Sequence, residues 1–275
     1  MNYVKKMPAH LRSKIAFMQN HSTTCLLLIL YLCLPFSCLS QPVRDFHASM
    51  QSVKQIPLPA GFERVAVMAN SFAGYLRNLP LRKDKTIYLY NHQPKTNQSL
   101  HYAVIDISTG DKDLQQCADA VMRLRAEYFY DKKMYDSIRF LKDNHSFYCF
   151  SNYRKSRASN ERESFMLFME TVFINCGTYS LQQQLKPIPD FSTIQTGDVL
   201  IKAGAPGHAE IVVDMAIHKE TGKKIFLLLE GYMPAQDMHI LLHPANKLSP
   251  WYEIPNSKEL ITASWIFTTD QLRRW

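Results

Sequence analysis

The chain has 275 residues, of which 46% are hydrophobic, and its formal net charge is +8. This length allows one sizeable domain or two small ones. No run of Lys and Arg is dense enough to indicate nucleic-acid binding. The sequence also holds no phosphate-binding glycine loop, Rossmann fingerprint or G-x-S-x-G elbow.

The first forty residues are typical of a secretory signal peptide. A basic start with Lys5, Lys6, Arg12 and Lys14 precedes an apolar run over residues 25–39. That run is shorter than the roughly 18 residues that a membrane-spanning helix needs. We predict a signal peptide over residues 1–40 and export to the periplasm or cell envelope. Contact with a membrane would then come only from this signal peptide or from a lipid anchor at Cys38, which is the alternative to simple cleavage.

The exported part has a mild positive charge and an odd number of cysteines. Removing residues 1–40 leaves 28 basic and 24 acidic residues, a charge of +4. Three cysteines remain, at positions 117, 149 and 176. An odd count leaves at least one thiol without an intramolecular partner, so the chain is not a disulfide scaffold.

The N-terminal half predicts a linker followed by mixed structure. Residues 41–58 are polar and rich in proline, which indicates a linker, and residues 59–275 are predicted to form a single α+β domain. Residues 71–76 predict a short helix that ends before Pro80. Residues 86–90 and 100–107 carry β-branched and aromatic side chains on both sides of a turn region, so they predict a hairpin.

Helices come first and strands follow in the rest of the chain. Helices are predicted over residues 113–130, 161–175 and 180–185, with Asp113 as the N-cap of the first. Strands are predicted over residues 198–202, 208–216, 224–230 and 238–242, and a turn at 219–222 joins the middle two as a hairpin. This order indicates an α+β fold with an antiparallel sheet.

Among the three cysteines, Cys117 is the best candidate for a nucleophile. It lies close to the N-terminus of a predicted helix, where a thiolate is stabilised. Cys176 lies at the opposite end of a helix, and Cys149 lies in an apolar context typical of a buried strand. The alternative for Cys117 is a structural role, because it shares the apolar face of its helix and free cysteines are often buried.

His208 and Glu230 are the candidates for a general base and its orienting carboxylate. His208 opens a strand after Pro206 and Gly207, which places its imidazole at the rim of the sheet. If residue 218 pairs with residue 223, Glu230 and Tyr232 lie near His208 across the hairpin. Such a carboxylate could fix the tautomer of the imidazole. The alternatives are a turn histidine and a solvated strand end.

Two further kinds of site were considered. An oxyanion pocket could use the backbone N–H of Cys117 and the side chain of Gln115 or Gln116, although Gln116 could also serve only as a cap. The histidines and Asp214 of the C-terminal third form no tight metal-binding motif, so the sequence predicts no metal site.

Long segments of the chain resemble an uncharacterised family of exported bacterial proteins, a domain of unknown function (4846). The resemblance covers the chain from Gly61 onwards and implies an origin mostly in Bacteroidetes, with no established activity. The matching segments are 71–73, 76–81, 113–128, 197–199, 206–209, 232–236 and 249–252.

The order of motifs also resembles the papain-like amidases and endopeptidases of the NlpC and CHAP types. A cysteine at a helix start is followed by Gly-Asp leading into a strand, and then by Gly-His-x-x-Ile-Val. The residues beside Cys117 depart from that pattern, since those enzymes usually carry Ser or Gly there. The resemblance implies a papain-like core of one N-terminal helix and an antiparallel sheet, with insertions around residues 131–190.

This second resemblance implies a cysteine hydrolase that cleaves an amide in peptidoglycan or a related peptide. Cys117 would attack the carbonyl, His208 would transfer the proton to the leaving amine, and Glu230 would hold the imidazole. No metal or organic cofactor is implied. Four residues are predicted to line the substrate groove: Tyr232, Gln236, Trp251 and Tyr252. The rival is a non-catalytic envelope protein that binds glycan or a protein partner on the same scaffold.

Overall fold

A large antiparallel sheet organises the molecule. The computed structural model describes residues 50–142, 145–155, 160–246 and 249–275. The predicted signal peptide, Cys38 and the first part of the predicted linker lie outside these residues. The described part of that linker packs on the core, because Met50, Val53 and Ile56 are buried.

Five helices and thirteen strands are found among the described residues. The helices are α1 (Phe72–Arg77), α2 (Cys117–Asp131), α3 (Phe150–Lys155), α4 (Glu161–Asn175) and α5 (Thr178–Gln184). The strands are β1 (Phe62–Arg64), β2 (His101–Val104), β3 (Arg139–Leu141), β4 (Phe147–Cys149), β5 (Lys186–Pro187), β6 (Val199–Lys202), β7 (His208–His218), β8 (Lys224–Glu230), β9 (His239–Leu241), β10 (Trp251–Glu253), β11 (Glu259–Ile261), β12 (Ile266–Thr268) and β13 (Leu272–Arg274). Four short 3-10 helices cover Val53–Gln55, Tyr135–Ser137, Phe191–Thr193 and Thr269–Gln271. The result is the α+β fold with an antiparallel sheet that the order of elements predicted.

The strand order in the main sheet is β2-β9-β8-β7-β6-β13-β5, with β1 paired to β7 and β10 paired to β8. The strands β7 and β8 lie at its centre and are buried along most of their length. Their near-continuous apolar runs are typical of strands that are covered on both faces. Two separate hairpins, β3–β4 and β11–β12, complete the strands of the described residues.

The register of the β7–β8 hairpin matches the prediction near its turn, where Ile217 faces Lys224. A bulge between Val212 and Asp214 then shifts the pairing by one residue. The predicted hairpin of residues 86–90 and 100–107 is wrong. Strand β2 pairs instead with β9, far along the chain, and residues 86–90 form only isolated bridges.

Each face of the sheet carries its own apolar core. The larger core joins α2 and α4 to one face, and includes Val121, Phe165 and Ile211. The smaller core lies under the β11–β12 hairpin and includes Val212 and Phe267. A buried charge fixes the sheet to α1 on the larger side, where Asp214 accepts hydrogen bonds from Arg64 and Arg77.

Candidate functional site

Cys117 is the first residue of α2 and lines a surface cleft. Gln116 is the N-cap, and its backbone N–H donates to the Asp119 carboxylate at 3.0 Å. The thiol of Cys117 is half-buried, and the cleft has a volume of about 360 Å³. Asp119, Thr178 and Met233 also line it. A cysteine in the first turn of a helix, beside an opening, has two properties of a reactive thiol.

His208 is the first residue of β7, as predicted, but it is buried rather than exposed at a turn. Its side chain is 3% exposed, and its Nε2 lies 2.8 Å from Glu230 Oε2. Glu230 ends β8, so the two strands of the hairpin bring the pair together. The loop that leads into His208 packs against the start of α5, since a Cβ on Gly207 would lie 2.8 Å from Thr178 Oγ1.

The Cys117 thiol lies near the His208 imidazole and contributes to the raised pKa of that ring. Burial lowers the pKa of His208, but its interactions with Cys117, Glu210 and Glu230 outweigh this effect and raise the pKa to about 12. The structure therefore places Glu230 against the imidazole of His208 and Cys117 close to the same ring.

Glu230 is the ionised partner of the imidazole. Burial raises its pKa, but hydrogen bonds from His208 and His239 dominate and lower it to about 2. His239 Nε2 lies 3.2 Å from Glu230 Oε1, and the Ser264 hydroxyl donates to Oε2 at 2.5 Å. A carboxylate held by three donors has a fixed orientation, which suits a residue that positions an imidazole.

A second buried acid, Glu210, lies beside the pair. Its Oε1 is 3.5 Å from His208 Nε2 and accepts hydrogen bonds from Thr262 and Ser264. Burial raises the pKa of Glu210, and the charge of Glu230 raises it further. Of the two acids, Glu230 therefore ionises more readily opposite His208, because its pKa is lowered and that of Glu210 is raised.

Aromatic rings enclose the imidazole of His208. The ring centroids of Tyr232 and Trp265 lie 5.2 Å and 5.3 Å from it, and that of Phe267 lies 6.1 Å away. Trp265 and Phe267 belong to the β11–β12 hairpin and its turn. These rings exclude water, which strengthens the ion pair beneath them.

The other predicted site residues are placed differently. The side chain of Gln115 is buried and accepts from Arg123, whereas that of Gln116 lines the cleft and donates to Asp113 at 3.2 Å. Tyr232 is half-buried beside His208. Three predicted groove residues are buried and do not line the cleft: Gln236, Trp251 and Tyr252. Amphipathic aromatic side chains serve cores as well as binding surfaces, and here Tyr252 donates to the Leu242 carbonyl.

Sequence reasoning missed several members of this site. Glu210 lies two residues after His208 on the same strand and so shares its face, a signal that was available. Thr262 and Ser264 come from a distant hairpin, and no local pattern connects them to β7. His239 was considered only as a metal ligand, although its pairing partner on β8 is Glu230 itself.

Three residues of the site could also hold a cation. Ligand atoms of His208, Glu210 and Glu230 lie within 4.8 Å of one another, and all three side chains are buried. One imidazole and two carboxylates form a donor set that zinc accepts. Hydrogen bonds from Ser264, Thr262 and His239 already occupy lone pairs on the two carboxylates.

Of the two remaining cysteines, one lines the cleft of this site and one does not. Cys149 does not line it and is a half-buried free thiol. Cys176 lines the same cleft as Cys117, and its thiol donates to the Leu141 carbonyl at 3.4 Å. No helix within the described ranges is long and apolar enough to span a membrane.

Comparison with known proteins connects this chain to one family. The model of the family described as Domain of unknown function (4846) matches residues 53–274. The chain belongs to this family. The match covers α1, α2 and every strand that carries the site. No curated protein and no solved structure matches the chain.

Proposed function

We propose that this protein is an exported cysteine hydrolase of the bacterial cell envelope, with a papain-like core, that cleaves an amide bond in peptidoglycan or a related peptide. One arrangement carries the proposal: Glu230 lies 2.8 Å from the His208 imidazole, and Cys117, close to that imidazole, lines an open cleft. The same row of thiol, imidazole and orienting oxygen is the machinery of cysteine hydrolases.

The electrostatics of the row support a thiolate mechanism. With its pKa raised to about 12, His208 carries a proton at neutral pH. A cationic imidazole and a helix N-terminus both stabilise a thiolate. Cys117 would attack the substrate carbonyl as the thiolate, and His208 would give its proton to the amine as the C–N bond breaks.

The second half of the reaction restores the protein. A water molecule gives a proton to the neutral His208 and attacks the thioester carbonyl. The acid product leaves, and the thiolate of Cys117 and the imidazolium of His208 form again. Glu230 stays ionised throughout and balances the charge of the imidazolium.

The start of α2 offers donors for the oxyanion. The first N–H groups of a helix have no partner within it, and that of Cys117 lies beside its own sulfur. The Gln116 side chain shares the cleft, but its hydrogen bond to Asp113 holds it. We therefore assign the backbone N–H of Cys117 the main role and Gln116 an accessory one.

Two rival functions make different predictions. A non-catalytic protein that binds glycan or a partner would need the scaffold but no reactive thiol. A metal protein would use His208, Glu210 and Glu230 as ligands, and its activity would depend on the cation rather than on Cys117. The closeness of Cys117 to His208 favours the hydrolase, because neither rival requires it.

Thiol reactivity separates these functions. Iodoacetamide at pH 7 is added to the folded protein in a Cys149→Ser background, and peptide mapping by mass spectrometry locates the label. We expect Cys117 to react much faster than the buried Cys176, and a His208→Ala variant to lose this preference. A Cys117 thiol that stays unlabelled until the protein unfolds would exclude the hydrolase.

Activity on cell-wall material provides the direct test. The protein is incubated with purified peptidoglycan and muropeptides of several chemotypes, and released fragments are identified by mass spectrometry. We expect Cys117→Ala to lower turnover by at least about 10³-fold, while Cys149→Ser has no effect. If wild type and Cys117→Ala are equally inactive on every chemotype, or if a chelator abolishes activity, the proposal fails.

A further inference from the structure

A second cavity lies further along α2, apart from the cleft of Cys117. Its volume is about 540 Å³, within the range of small-molecule sites. Helix α2, the β3–β4 hairpin and Trp275 contribute its walls, and it shares no lining residue with the cleft of Cys117. Its lining includes Arg125, Phe129, Arg139 and Phe147.

The guanidinium of Arg125 lies among aromatic rings and has no anionic partner in the described part of the chain. It lies 4.5 Å from the ring centroid of Phe129, 4.6 Å from that of Phe72 and 5.2 Å from that of Trp275. Its Nε is buried without a hydrogen-bond partner, and Arg125 takes part in no ion pair among the described residues. Burial lowers the pKa of Arg125 to about 10, which leaves it charged at neutral pH. Arg125 is half-buried, and a cation that is partly removed from water is costly unless an anion balances it.

Other unpaired donors surround the same cavity. The indole N–H of Trp275 is buried and has no partner within the described ranges. The Arg139 guanidinium lies 5.2 Å from the ring centroid of Phe147 and forms no ion pair with a described acid. Gln184 is already used, because it donates to the Arg139 carbonyl and accepts from Leu141. Against these two cations, one acid lines the cavity: Asp136, which is exposed.

We propose that this cavity binds a small molecule in which a carboxylate is attached to an apolar group. A carboxylate accepts two parallel hydrogen bonds from a guanidinium, and its plane matches the plane of Arg125. The aromatic rings around Arg125 restrict the approach to its guanidinium, and a flat anion fits such an approach better than a tetrahedral phosphate. Phe129 and Phe147 provide walls for the apolar part of the ligand.

Direct binding measurements on the full chain test this assignment. Acetate, phenylacetate and phenylpropionate are titrated by isothermal calorimetry and by ligand-observed NMR, with inorganic phosphate and neutral phenylacetamide as comparison probes. We expect saturable binding of the two aryl carboxylates at concentrations up to about 10 mM, and weaker binding of acetate, which lacks the apolar group. Phenylacetamide has the same shape without the charge and is expected to bind at least tenfold more weakly.

Variants locate the binding. We expect Arg125→Met to weaken phenylacetate binding at least tenfold and the exposed Arg139→Gln to weaken it severalfold. The matched control is Arg154→Gln, because Arg154 lies 4.5 Å from the ring centroid of Tyr135 but is paired with Glu161 outside the cavity. Should Arg125→Met fail to fold, Arg139→Gln and Arg125→Lys carry the test, and the charge-keeping variant is expected to retain part of the affinity.

The outcomes that overturn the assignment are specific. Equal binding of phenylacetamide and phenylacetate would show that charge has no role. Stronger binding of phosphate than of any carboxylate would assign the site to another anion. Unchanged affinity in both Arg125→Met and Arg139→Gln, or no saturable binding of any carboxylate, would remove the site altogether. None of these results bears on Cys117, so the proposed hydrolase stands or falls separately.

Discussion

Replacing Glu230 by Gln tests the buried ion pair directly. The substitution keeps the shape of the side chain and removes the charge that lies 2.8 Å from His208 Nε2. Removing one partner of a buried ion pair costs about 3–5 kcal/mol. We expect the lower end, about 3 kcal/mol, because Glu210 lies 3.5 Å from the same nitrogen and can ionise once Glu230 is neutral.

For a domain of this size, a loss of about 3 kcal/mol lowers the melting temperature by about 6–12 °C. Urea unfolding provides the free energy, and scanning calorimetry provides the melting temperature. A Glu210→Gln control should be milder, because burial and the charge of Glu230 both raise the pKa of that acid. The double variant should cost more than the two single changes together, because it removes the replacement charge.

The pH dependence of the unfolding free energy checks independently that the pKa of His208 is raised in the folded protein. Because its folded pKa is raised to about 12 from 6.5, His208 contributes stability that is complete below pH 6.5 and declines as the pH rises toward 12. In Glu230→Gln the pKa of His208 in the folded protein falls. The contribution of His208 to the unfolding free energy should then be smaller, and it should be lost at a lower pH. An unfolding free energy within about 0.5 kcal/mol of wild type, with an unchanged pH profile, would refute the ion pair.

Three further perturbations follow from described contacts. Burial raises the pKa of Asp119 to about 8, so the folded state holds a proton that the unfolded state releases, and the free energy of unfolding falls as the pH rises from 4 to 8. Urea unfolding at a series of pH values should show that Asp119→Asn removes this slope. An unchanged slope would contradict the raised pKa. A Cβ on Gly207 would lie 2.4 Å from a backbone oxygen, whereas a Cβ on Gly177 would meet nothing within 4 Å. Gly207→Ala should therefore slow the labelling of Cys117 by iodoacetamide, and Gly177→Ala should leave the labelling rate unchanged. Equal rates in both variants would show that the loop before β7 does not position His208. Asp214→Asn removes the charged partner of Arg64 and Arg77 and should lower the unfolding free energy by about 3 kcal/mol in the same assay. A loss below about 1 kcal/mol would mean that these ion pairs are not needed for stability.

Local patterns in the sequence were sufficient for the central part of the fold. The α4 helix and strand β8 are found at the predicted bounds, and the β7–β8 register is correct near its turn. Helical periodicity and hairpin geometry are set by neighbours in sequence, which is why these predictions succeed. The hairpin predicted for residues 86–90 and 100–107 failed because the pairing of β2 with β9 is decided by long-range packing.

The candidate site divides in the same way. Cys117, His208 and Glu230 could be placed because a helix start and a hairpin position them. The roles of Trp251 and Tyr252 could not, since aromatic residues in a sequence do not reveal whether they face a cleft or a core. Ser264 completes the site from 56 residues beyond His208, a contact that only the tertiary fold creates.

The bulge between Val212 and Asp214 determines which residues of β7 face each side of the sheet. Before it, even-numbered residues of β7 face the smaller core, and after it odd-numbered residues do so, as Val212 and Met215 show. Deleting residue 213 would restore a continuous β7–β8 ladder, but it would move the side chain of His208 to the face of the sheet that packs against the helices. The carboxylate of Glu230 on β8 would then have no imidazole opposite it, so one extra residue in β7 keeps this acid and His208 on the same side of the sheet.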